Sequence, residues 1–192
     1  MDWDEKYRKN DAPWDRQVPS LPLRQYLERH SIQGRVLVPG CGRGHEVALA
    51  IEYGFDAVGL DIAPTGIEQA KALYPHLKER FILGSLFDPP QELQGTFDFV
   101  FEHTCMSGLP PSLRPDYRRG IDLTLKKGGL LIGVWYINPD REPDHEGPPY
   151  SFSVDALTSL FAEGYEIVED YVPDIAFEGR LGRERIRVLR KS

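Results

Sequence analysis

Strands and helices alternate along almost the whole of this 192-residue chain, and that alternation leaves few folds open. RVLVP (35–39) is an apolar run that precedes a helical stretch, EVALAIEY (46–53), stopped by Gly54. DAVGLD (56–61) precedes TGIEQAKALY (65–74), a helix with Thr65 at its N-cap. RFILG (80–84) and FDFVF (97–101) supply strands three and four. RPDYRRGIDLTLKK (114–127) is a helix stopped by Gly128 and Gly129, and LLIGVWY (130–136) is strand five. A first helix, LPLRQYLERH (21–30), a late one, VDALTSLFAE (154–163), and two final strands, YEIVEDYV (165–172) and RERIRVLR (183–190), complete the series. Such alternation implies a parallel sheet covered by helices on both faces. The ten residues PDIAFEGRLG between the last two strands are too few for a parallel crossover, so that pair is expected to be antiparallel.

The expected fold is therefore α/β and Rossmann-like. It is a seven-stranded, mostly parallel sheet with an antiparallel C-terminal strand, in one domain over residues 1–192. A ligand site is expected at the carboxyl ends of strands one, two and four, where the strand order reverses.

The loop PGCGRGHEV (39–47) limits what that ligand is. Gly40, Gly42 and Gly44 let it approach the backbone and aim N–H groups at it. A phosphate loop needs G-x-x-x-x-G-K-[ST], but His45 and Glu46 occupy the positions five and six past Gly40. The dinucleotide pattern G-x-G-x-x-G needs its third glycine one residue later, and Glu46 in the first helical turn is an awkward neighbour for a pyrophosphate. G-x-G-x-G is the spacing expected for S-adenosylmethionine, which has no phosphate and carries a zwitterionic methionine end and a sulfonium. Asp61, 21 residues past Gly40, suits either nucleoside by accepting from both ribose hydroxyls, or simply caps the next turn. An NAD-dependent oxidoreductase stays open at this point. GSLFD (84–88) offers an adenine ring a backbone N–H and Leu86 or Phe87, or is an ordinary strand exit.

Charge narrows the partners. Thirty acidic residues against 23 basic give a formal net charge of -7, without the basic footprint of a nucleic-acid binder. The basic C-terminus reads as a strand with one solvated face, Arg183, Arg185 and Arg187 alternating with Glu184, Ile186 and Val188. No run approaches the roughly 20 apolar residues that span a bilayer, and the charged, aromatic start MDWDEKYRKNDAPWD is no signal peptide. Two cysteines, Cys41 and Cys105, make no disulfide framework. The expectation is a cytoplasmic, monomeric protein acting on a small molecule, with no membrane and no nucleic-acid partner. Cys41, His45, His103 and Cys105 lack standard zinc spacing, so no metal is expected.

Taken together, PWD (13–15), LVPGCGRGHEV (37–47), VGLDI (58–62), SLFD (85–88), RPDY (114–117), DHEGPPY (144–150) and LGR (181–183) resemble the thiopurine methyltransferase family. DHEGPPY points to its thiol and halide branch. The resemblance implies S-adenosylmethionine as cofactor and a thiol, hydrosulfide, thiocyanate or halide as acceptor; a larger aromatic thiol or another heteroatom is the alternative. It implies an N-terminal lid, residues 1–20, in which Trp14 closes over the cofactor beside Trp3 and Tyr7. It further implies Gly40 and Gly42 under the methionine end, Asp61 on the ribose, Ile62 against adenine, and Ser85, Leu86 and Phe87 at the base. FEHTCMSGLPP (101–111) would face the sulfonium and the acceptor.

Methyl transfer from a sulfonium is an in-line displacement in which charge disappears, so a dry, closed site favours an anionic nucleophile. His103 is the natural group to hold or deprotonate an acceptor, or is a histidine bonded within its loop. Glu102 either faces the cofactor amino group or accepts backbone donors at the strand exit. Cys105 borders the acceptor, as nucleophile or, more in keeping with buried thiols, as inert packing. The proline-rich loop within 137–153 is expected to wall the acceptor, with His145 and Tyr150 at its border.

Overall fold

The computed structural model describes residues 1–137, 147–150 and 152–192. Seven strands among them form one sheet: β1 (Arg35–Pro39), β2 (Asp56–Asp61), β3 (Phe81–Leu83), β4 (Phe97–His103), β5 (Leu125–Tyr136), β6 (Tyr165–Tyr171) and β7 (Glu184–Lys191). Their order is β3-β2-β1-β4-β5-β7-β6. The first five run parallel, and β7 is antiparallel to both β5 and β6. The expected antiparallel pair forms, with the last strand inserted between β5 and β6 instead of closing the edge. β1 has β2 on one side and β4 on the other, so the order reverses there and a crevice opens at the carboxyl ends.

Side-chain alternation sorts the core into two layers. Val36, Val38, Phe99, Phe101, Ile132 and Val134 face α2 (Leu21–Arg29), α3 (His45–Glu52) and α4 (Pro64–Leu73). Leu37, Val100, Leu131 and Trp135 face α5 (Arg114–Thr124) and α6 (Val154–Leu160). Both faces are covered, which is why β1 and β2 read as unbroken apolar runs.

Four local features differ from expectation. A six-residue helix, α1 (Trp3–Arg8), opens the chain, with the Asp2 side chain accepting from the Glu5 amide. Thr65 is not the N-cap of α4: Ala63 is, and Pro64 takes the first helical position. The Thr65 amide donates instead to Asp4 Oδ1 of α1 at 2.7 Å. α5 ends at Thr124, because Lys191 Nζ takes the carbonyls of Asp122 and Leu125 at 2.5 and 2.8 Å and closes the helix before Gly128. Arg187 does not lie on a solvated face. It is buried, with Asp170 at 2.7 Å and the Thr158 hydroxyl of α6 at 2.8 Å, since β7 is an interior strand and α6 covers it. No helix among the described residues is long and apolar enough to cross a membrane.

Candidate active site

A cavity of about 780 Å³ lies across the carboxyl ends of β2, β1, β4 and β5, roofed by the N-terminal segment. Of the expected site residues it is lined by Trp3, Tyr7, Trp14, Gly40, Asp61, Ile62, Ser85, Leu86, Phe87, Cys105 and Tyr150. The sequence motifs that bring them together are far apart; the sheet order makes them neighbours.

Asp61 organises one end. Its Oδ2 accepts from the Gly42 amide at 2.7 Å and its Oδ1 from the Ala63 amide at 2.8 Å, tying the glycine loop to the start of α4. Burial pushes its carboxyl up from the ordinary range, against the pull of those two amides. Each oxygen keeps a lone pair for a further donor. Beside it Ile62, although apolar, is 58 % exposed and forms an open shelf. A Cβ on Gly40 would stand 2.8 Å from Cys105 Sγ, so the floor between the two admits only backbone. Gly120 does the same service behind the wall: a side chain there would strike the Leu86 carbonyl, so its absence lets α5 press the Ser85–Leu86–Phe87 segment into place. A carboxylate for two hydroxyls, an apolar shelf and a bare backbone floor fit a nucleoside with an amino-acid tail. This lining therefore suits S-adenosylmethionine.

Three expected residues lie off the cavity. Gly42 is covered by the Tyr7 hydroxyl, which occupies the place a Cβ would need, at φ +49°. Glu102 shares the Val100 face of β4 and so points at α5. It accepts from the Tyr117 hydroxyl and, at 3.2 Å, from the Met106 amide, as a carboxylate collecting donors at a strand exit. Burial raises its carboxyl. His103 shares the opposite face with Phe99 and Phe101 and so points at α3. Its Nδ1 lies 2.8 Å from Glu46 Oε1 and its Nε2 lies 4.0 Å from Glu184 Oε1. It is held between these carboxylates on the helix-covered face and is not among the residues that line the cavity. His145 lies outside the described residues. Burial pushes the Cys105 thiol, like that of Cys41, well up, which keeps both neutral and suits packing over nucleophilic attack.

The other end of the cavity holds Tyr117, the last residue of RPDY, and two residues that the motifs did not single out, Tyr136 and Arg180. Thr104, at φ +63°, turns the chain sharply after β4 and brings Cys105 and Ser107 to the wall. The Ser107 carbonyl accepts from the Tyr150 amide at 2.7 Å, fixing Tyr150 across from it. Arg180 is buried and donates to Glu184 at 3.1 Å, with its guanidinium 4.9 Å from the Tyr136 ring centroid. Tyr136 was legible in principle, as the last residue of a central strand at its carboxyl end. Arg180 was not, because it sits in a loop ahead of β7.

Comparison with known proteins agrees with this geometry. The probable thiol methyltransferase 2 of Arabidopsis thaliana is 29% identical over 198 aligned residues, spanning 99% of this chain and 84% of that protein. Thiocyanate methyltransferase 1 of Brassica oleracea is 30% identical over 192, spanning 96% and 82%. The fold is shared with the Burkholderia thailandensis 1,6-didemethyltoxoflavin-N1-methyltransferase, at a TM-score of 0.77 and 20% identity over 100% of this chain and 86% of that one. Residues 1–190 match the family described as thiopurine S-methyltransferase. With nearly every residue inside that match and the glycine loop, Asp61 and the N-terminal aromatic residues gathered on one cavity, the chain belongs to the thiopurine S-methyltransferase family of S-adenosylmethionine-dependent methyltransferases.

Proposed function

We propose that this enzyme methylates a small, soft nucleophile bound as an anion: a thiolate, hydrosulfide, thiocyanate or halide. The observation that carries this reading is Arg180, a buried guanidinium on the cavity wall among aromatic rings. Glu184 takes one donor of the guanidinium at 3.1 Å, and its remaining N–H groups, set among aromatic rings, are the donors for a polarizable, weakly hydrated anion that leaves its water outside. Bound S-adenosylmethionine supplies the electrophilic methyl group. The protein's part is positioning, which is worth up to ~7–11 kcal/mol in well-oriented reactions. Asp61, Ile62 and the floor at Gly40 hold the cofactor, while Arg180 and the tyrosines orient the acceptor. A thiolate or halide needs no base, in keeping with His103 lying off the cavity. The names of the plant relatives, a thiol methyltransferase and a thiocyanate methyltransferase, support two of these acceptors. With the family established, the NAD-dependent alternative is set aside.

A larger aromatic thiol is the second reading, favoured by the rings of Tyr117, Tyr136 and Tyr150 on the acceptor side. The test is a panel of hydrosulfide, thiocyanate, iodide, small thiols and aromatic thiols at equal concentration, with S-adenosylhomocysteine as the measured product. Highest kcat/KM on the small anions supports the first reading. Preference for aromatic thiols supports the second, and no product with any acceptor removes both.

A further inference from the structure

Arg43 stands between Gly42 and Gly44 at the tip of the glycine loop, yet its guanidinium is taken up by other elements. Nη1 lies 2.5 Å from Asp15 Oδ2, Nη2 lies 2.7 Å from Asn10 Oδ1, and Nε donates to Gln69 of α4 at 2.8 Å. His45, first residue of α3, meets the other Asp15 oxygen with Nε2 at 3.1 Å, and its Nδ1 lies 2.8 Å from the Tyr74 hydroxyl. The Asp15 side chain is only 5 % exposed. It immediately follows Trp14, which stands edge-on to the Trp3 and Tyr7 rings at 5.2 and 5.9 Å in the cavity roof.

The roof has two further ties to α4, but each is a single hydrogen bond: the Thr65 amide to Asp4, whose side chain is 27 % exposed, and Gln69 Nε2 to the Tyr7 carbonyl at 3.4 Å. The Asp15 cluster is buried, charge-assisted and anchored on both sides of the loop that underlies the cavity. Buried ion pairs contribute little net stability, yet they demand one geometry, and removing one partner strands the other charge.

We propose that Asp15 is a positioning residue: its carboxylate latches the Trp14 segment onto Arg43 and His45, and release of this latch sets the rate at which the adenosyl ligand leaves. This rests on reading the cavity as the S-adenosylmethionine site. The latch joins the roof to the tip of the glycine loop, whose base Asp61 holds separately through the Gly42 amide.

The test is dissociation of S-adenosylhomocysteine from the full-length protein, followed by stopped-flow tryptophan fluorescence. In Asp15→Asn the dissociation rate should rise about tenfold or more, the loss expected for a charge-assisted hydrogen bond. KM for S-adenosylmethionine should rise with it, while kcat at saturating cofactor is kept or increased. Asn10→Gly, at an exposed residue whose φ of +52° glycine adopts freely, removes the Arg43 contact, leaves the ion pair intact, should speed dissociation by about threefold, the worth of one exposed hydrogen bond, and reads the latch even if Asp15→Asn does not fold. Unchanged dissociation in both variants, including a fall in melting temperature alone, overturns the latch. A wild-type protein that binds no S-adenosylhomocysteine overturns the cavity reading and the latch with it.

Discussion

His103 Nδ1 lies 2.8 Å from Glu46 Oε1, and this pairing joins the end of β4 to the first turn of α3. Burial pushes the Glu46 carboxyl up, but the facing His103, with the Ser20 amide, more than reverses it and leaves the group below the usual carboxylate range. Replacing His103 by leucine strands a buried carboxylate, and stability in urea should fall by roughly 3–5 kcal/mol. Turnover by the folded fraction should fall in parallel for a weakly acidic thiol, which must lose a proton, and for iodide, which has none. A selective loss with the thiol would show His103 to be the base.

Asp61 is the opposite case, a residue of the cavity wall with structural work as well. Asp61→Ala removes the acceptor of the Gly42 and Ala63 amides along with any ribose contact. Affinity for S-adenosylhomocysteine should drop by roughly 1.5–3 kcal/mol per charge-assisted hydrogen bond lost, and Asp61→Asn, which still accepts, should lose less. Titration calorimetry gives both values; equal affinity in all three proteins would take Asp61 out of the site.

Much of this architecture was legible in the sequence, for identifiable reasons. β1 and β2 keep their expected limits because each is an apolar run closed by a glycine or by a turn, and burial on both faces demands such runs. α1 was not legible: six residues are too few for periodicity, and it holds its place through Asp4 and the Asp2 cap. β4 runs two residues past the expected FDFVF, to His103, so Glu102 and His103 fall on opposite faces of a strand and not together in a loop facing the acceptor. Arg180 reaches the site only because β7 inserts beside β5, and no local pattern encodes that insertion.

Asp15 links the roof to pH. Burial alone would raise its carboxyl, but His45, the Gln17 amide and Arg43 bring it down to about 2 from 3.8. A folded value below the unfolded one means that the stabilisation is complete above about pH 4 and is lost as pH falls through about 2, an integrated ~2 kcal/mol. Stability measured in urea from pH 5 to pH 2 should therefore fall less steeply in Asp15→Asn than in wild type. Glu46, Asp98 and Asp170 are also held low, so a residual slope of the same sign remains. Parallel curves for the two proteins would show that the Asp15 carboxylate carries no such linkage.

Arg180 separates acceptor binding from cofactor binding, because it lies by β7 while Asp61 ends β2, with β1, β4 and β5 between them in the sheet. Lysine keeps the charge but not the planar fork that both meets Glu184 and lies over Tyr136. Arg180→Lys should lower kcat/KM for thiocyanate or a thiolate by roughly 10- to 100-fold, the worth of one charge-assisted hydrogen bond to an anion. Its affinity for S-adenosylhomocysteine should stay at the wild-type value, since the contacts at the Asp61 end are untouched. Loss of cofactor affinity with acceptor kinetics preserved would reverse the assignment and put Arg180 at the methionine end of the cavity.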